Sequence, residues 1–143
     1  MSLVVLSVLG ASDCGGTGSK TPQDVLSTAF QALEANNLEL WNKTLLMGQR
    51  DSNQYRDPVG MINFKKLVGL DAVPAGSKLG LFPGNSVWKD EYGQIANVFE
   101  AEVRLNQSGD PKQPSKIVAL AKVACTKKDT PECFIEDFLE VAR

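Results

Sequence analysis

The chain has 143 residues, 43% of them hydrophobic and 22% charged, which fits one globular domain with a single core rather than a disordered segment. Fifteen basic and seventeen acidic residues give a net charge of −2. The lysines are scattered apart from Lys65/Lys66 and Lys127/Lys128, so no basic face for nucleic acid is present. Histidine is absent, which excludes His-based triads, and the three cysteines lack C-x-x-C spacing, so neither a zinc site nor any other metal or cofactor is expected.

At the N-terminus, residues Val4 to Leu9 are apolar. A small-residue stretch follows, Gly10-Ala11-Ser12-Asp13-Cys14-Gly15-Gly16-Thr17-Gly18-Ser19-Lys20, which no packed core favours. The order resembles a bacterial lipoprotein signal, in which an apolar run leads to a lipidated Cys and a Gly/Ser-rich tether. Asp13 stands where a small residue is preferred, and no Lys or Arg precedes the apolar run. The resemblance implies export to the periplasm or cell envelope, with Cys14 as the lipidation site and residues 1–20 as a signal remnant or tether. The plainer alternative is a first strand with an incidental cysteine. The run is too short to span a membrane, so membrane contact is expected only through a lipid anchor. Cys14 to Thr21 also lies where a phosphate-binding loop would, but Cys14 and Ser19 occupy positions that need Gly, and no parallel βαβ pattern follows.

Thr21-Pro22-Gln23-Asp24 marks a helix start: a capping hydroxyl, Pro at the first helical position and an acid in the first turn. Val25, Leu26, Ala29, Phe30 and Leu33 recur at helical spacing until Asn36-Asn37. A second helix is predicted over 38–47, with Trp41 in the core, and a third from Asp57-Pro58 to Gly69, with Met61, Phe64 and Val68 on one face. The residues between them, including Tyr55, Arg56 and Asp57, read as a solvated polar loop.

After Gly69 the period changes to two. Strands are predicted over 77–82, closed by Pro83-Gly84-Asn85, then 87–92, 94–106, 116–126 and 133–141. In the long strand Ile95, Phe99, Ala101, Val103 and Leu105 share one face, and Glu100, Glu102 and Arg104 the other. The 116–126 strand is apolar on both faces and therefore central. Cys125 and Cys133 flank a short loop between two strands, where a disulfide would stabilise the fold by roughly 2.5 kcal/mol and would need an oxidising compartment; two reduced buried cysteines are the alternative. Helices first and consecutive strands afterwards indicate an α+β fold with an antiparallel sheet over residues 21–143.

The opening 21–37 and the closing Cys133-Phe134-Ile135-Glu136-Asp137-Phe138-Leu139 resemble the first helix and last strand of the nuclear-transport-factor-2-like (NTF2-like) superfamily. That resemblance implies a curved sheet wrapped around the N-terminal helix as a cone, and its nearest members are exported and lipoprotein-like, without assigned function. Polar residues on the apolar strand faces then become candidates for a cavity. Asn97 interrupts its strand's apolar face, Asp137 lies between Ile135 and Leu139, and Trp88, Asp90 and Tyr92 share one strand face. A half-buried Asp137 or Asp90 would suit general-base work, with Asn97 or Tyr92 orienting a substrate. The simpler account has Asp137 paired with a Lys or in solvent, and Asn97 satisfying a bulge.

Two functional classes follow. One is a non-catalytic binding or accessory domain of the cell envelope, taking a small apolar ligand in the cone (with Asn97, Tyr92 and Trp88 around it) or an envelope protein on the sheet face. The other is a cavity enzyme of isomerase or dehydratase type. A homodimer through the open sheet face is compatible with either.

Overall fold

The computed structural model describes residues 17–47, 53–72, 80–106 and 112–141. The export-like segment through residue 16, Cys14 included, lies outside the described residues, as does the start of the strand expected at 77–82.

Helix α1, Pro22–Glu34, begins as its sequence dictates: the Thr21 hydroxyl accepts from the Asp24 N–H at 3.1 Å. It buries Val25, Leu26, Ala29, Phe30, Ala32 and Leu33. Asn36 closes it at φ +53, a conformation Asn tolerates well, and the Asn37 side chain caps the next helix by accepting from Leu40 N–H at 3.1 Å.

Helix α2, Leu38–Lys43, is shorter than its apolar spacing predicts. Thr44 leaves the helix with its hydroxyl bonded to the Trp41 carbonyl at 2.7 Å. The chain then runs beside the last strand in a parallel bridge, Ile135 N–H to Thr44 O at 2.8 Å and Leu46 N–H to Ile135 O at 2.7 Å. An unpaired strand edge needs such partners, and Thr44 and Leu46, either side of the Leu45–Ile135 bridge, supply them here.

Helix α3, Asp57–Val68, buries Gly60, Met61, Phe64 and Val68 and ends at Gly69 in the left-handed region, φ +81. Gly60 cannot carry a side chain, since an added Cβ would sit 2.0 Å from the Tyr55 carbonyl carbon.

Four antiparallel strands follow in sequence order: β1 Leu81–Tyr92, β2 Ala96–Leu105, β3 Lys116–Thr126 and β4 Cys133–Glu140, forming a curved sheet. The fold is α+β, as expected. Pro83-Gly84-Asn85, predicted to be a turn, instead lies inside the single strand β1, where the register shifts between Pro83 and Ser86. β1 is an edge strand, so the N–H that proline lacks removes no ladder bond. Cys125 and Cys133 are register partners with Cα atoms 4.0 Å apart and form the disulfide.

The helices cover one face of the sheet. There Ala101, Ala119 and Ala121 keep the sheet centre low, leaving room for a cluster of aromatic rings. Phe64 and Phe138 have centroids 4.5 Å apart, and Trp41 lies 5.3 Å from Phe64. Tyr55 is not in a solvated loop: it is buried edge-on to Phe138, its carbonyl accepting from Trp41 Nε1 at 2.7 Å and its hydroxyl donating to the Phe138 carbonyl at 3.2 Å. The helix-covered interior is therefore filled by side chains. Trp41 is core, as expected.

Candidate functional site

A broad opening lies on the opposite face, which no helix of the described residues covers. It is a groove of about 780 Å³, within the range typical of small-molecule sites. Ala96 and Ala124 from neighbouring strands, with Phe134, give it an apolar floor, while Tyr92 and Ile95 at the β1–β2 turn rim one side. Leu46, Met47, Asn53 and Gln54 wall the other. The bridge of residues 44–46 to β4 fixes that wall, and Asn53 locks it by donating from Nδ2 to the carbonyls of Leu46 (2.9 Å) and Glu136 (3.1 Å).

The polar end of the groove owes its geometry to a bulge. Lys122 pairs with Asp137 but its neighbour Val123 pairs with Ile135, so Glu136 is one residue too many for the partner strand. The extra residue reverses the alternation, and Ile135 and Phe138 both enter the core while Asp137 lies on the groove side, partly exposed. Asp137 was expected among the apolar residues of its strand; the bulge places it on the other face. Its Oδ1 accepts from Gln54 Nε2 at 2.7 Å and from the Phe138 N–H at 2.9 Å.

Lys122 and Glu136 pair across the strands at 2.8 Å. That hydrogen bond, aided by the negative charges of Glu136 and Asp137, holds the Lys122 ammonium above its ordinary pKa against the opposing effect of desolvation. On the core side of the same strand the Tyr55 phenol is raised above 10.0, first by burial and second by the charge of Asp137. The groove carboxylate is thus felt in the core.

Of the residues singled out in the sequence, the structure brings Asp137 and Tyr92 to this groove and leaves the others outside it. Asn97 is half-buried opposite Cys125. Asp90 is exposed, its Oδ1 capping the neighbouring Glu91 N–H at 2.8 Å, and Trp88, 56% exposed, does not share its face as expected, because a bulge between the two turns Trp88 to the other side of the strand. Of the expected base and orienting pairs, only Asp137 with Tyr92 shares this groove; Asp90 and Asn97 lie outside it. Sequence reasoning missed Gln54, Asn53 and Phe134. A signal was present: β3 is apolar on both faces, and the helices predicted from the sequence suffice for one.

Among the described residues no group of three or more His, Cys, Asp or Glu side chains could hold a metal ion, and no helix is long and apolar enough to cross a membrane. No protein-family model, curated protein or solved structure matches the chain.

Proposed function

We propose that this protein is a non-catalytic binding domain of the bacterial cell envelope, which holds a small apolar ligand in the groove on the helix-free face of its sheet. The groove itself is the observation that carries this reading: an apolar floor fixed by three strands, rimmed by Tyr92 and Ile95, with Asp137 and Gln54 available to orient a polar end. The Cys125–Cys133 disulfide supports an oxidising compartment, and the export-like N-terminal segment supports the envelope as that compartment. Helices followed by a curved antiparallel sheet support kinship with exported NTF2-like domains, with one difference of detail. The interior of the expected cone is filled, so the ligand site moves to the outer face.

Titration with a neutral apolar fluorophore such as N-phenyl-1-naphthylamine tests the reading. Binding is expected in the micromolar range, and Ala124→Leu, which raises the groove floor, should weaken it about tenfold or more without lowering the thermal midpoint. Absence of binding, or binding indifferent to Ala124→Leu, would overturn it.

A further inference from the structure

Exposed apolar side chains are unevenly distributed over this molecule. Among the described residues, Val87, Trp88, Tyr92 and Ile95 all fall within one hairpin and are 51 to 73% exposed, whereas Val59, Ile62 and Leu139 are the other large hydrophobics in solvent. The hairpin tip is held rather than loose. Lys127 N–H donates to the Ile95 carbonyl at 3.0 Å and Lys127 Nζ to the Gly93 carbonyl at 3.0 Å, tying the β1–β2 turn to the β3–β4 turn. A pinned hairpin that presents Tyr92 and Ile95 at its tip, and Trp88 further along β1 on the opposite face, to water retains an unfavourable exposure that a partner would relieve.

The path of the chain bears on what that partner is. Ser19 is buried and its carbonyl accepts from the Cys133 N–H at 2.8 Å, so the chain enters the fold at the same end of the sheet as this hairpin. Cys14 lies five residues earlier, within about 17 Å of that point even at full extension. A lipid anchor there would hold this end close to the bilayer. The residue types suit that position, since Trp and Tyr rings favour the headgroup level and an aliphatic side chain the acyl boundary. Charges nearby nearly cancel: Lys89, Lys127 and Lys128 stand among Asp90, Glu91, Asp129 and Glu132.

We infer that the hairpin end of the sheet, through Trp88, Tyr92 and Ile95, is a membrane-docking surface that lies on the lipid interface. The inference rests on the envelope placement proposed above; Tyr92 and Ile95 also rim the groove, whereas Trp88 lies outside it. Docking on this surface is apolar, with little preference for anionic lipid.

The test uses the full chain, without acylation, and vesicles of phosphatidylcholine with or without phosphatidylglycerol. Trp41 is fully buried and Trp88 is 56% exposed, so a change in tryptophan emission reports Trp88. The expected result is a blue shift on both vesicle types, quenching by brominated acyl chains, and a vesicle-bound fraction about tenfold lower for Trp88→Ala/Ile95→Ser, measured by sedimentation. Ala124→Leu should leave vesicle binding unchanged, which separates failure of this surface from failure of the groove. Three results would overturn the inference: no shift with either vesicle, binding confined to anionic vesicles and lost in about 0.5 M salt, or a blue shift that appears without lipid as protein concentration rises. The last would assign the patch to a second copy of the chain.

Discussion

The two faces of the sheet are built from the same four strands and have opposite fates. On the helix side, Ala101, Ala121, Val123, Ile135 and Phe138 meet the three helices and are at most 3% exposed. On the other side, Ala96, Ala124 and Phe134 are just as apolar but, among the described residues, are flanked at one end by Leu46, Met47, Asn53 and Gln54, and the face is open as a groove. Apolar sequence alone does not decide which face becomes core. The helices decide it, and those of the described residues lie on one face. Stability should therefore concentrate on the helix side and binding on the groove side.

Strand β4 offers the sharpest way to break that comparison, because it carries one phenylalanine on each face. Phe138 is 3% exposed within the aromatic cluster, so Phe138→Ala should cost about 3–5 kcal/mol in urea unfolding. Phe134 is half-buried in the groove, and Phe134→Ala should cost about 1 kcal/mol while weakening apolar probe binding. Equal losses from the two substitutions would mean that the groove face is core after all.

The disulfide sits between these extremes. Cys125 and Cys133 are eight positions apart and both buried, on the helix side of the sheet near its hairpin end. Replacing both with Ala should remove about 2.5 kcal/mol, read as a shift of the urea midpoint, if the stabilisation comes from restricting the unfolded chain. A loss beyond about 4 kcal/mol would instead show that the bridge holds the β3–β4 hairpin in place.

Much of the fold was legible because its signals are local. Thr21-Pro22 and Gly69 bound helices by capping and backbone geometry alone, and the Cys125–Cys133 pairing followed from a short loop between two strands. What was hidden depends on distant partners. Pro83-Gly84-Asn85 reads as a turn unless β1 is known to be an edge strand. Residues 44–46 read as helix unless the free edge of β4 is known to lie beside them. Tyr55 reads as loop until Trp41 and Phe138 close over it. For the site, one surplus residue, Glu136, moved Asp137 to the opposite face, and a pattern of period two cannot show a bulge before the pairing is known. The groove draws on segments more than eighty residues apart in sequence, among them Asn53 and Glu136.

The smallest expected effect probes the single strand's thickness between the two faces. Tyr55 lies in the core, yet the Asp137 charge in the groove adds to burial in raising its phenol above 10.0. The folded protein then keeps a proton that the unfolded chain releases. This contribution to stability is intact below pH 10.0 and is lost as the pH rises through the folded value. Lys122, raised above 10.5 chiefly by its hydrogen bond to Glu136, acts in the same direction but is largely exposed and should contribute less. Tyr55→Phe should cost about 1 kcal/mol at neutral pH, the net worth of its hydrogen bond to the Phe138 carbonyl. The same substitution should flatten the fall in stability above pH 10.0, measured as urea midpoints at closely spaced pH values. Asp137→Asn should flatten it only in part, since burial remains. An alkaline slope unchanged in Tyr55→Phe would remove Tyr55 as its source, and one unchanged in Asp137→Asn would show that the groove and the core are electrostatically separate.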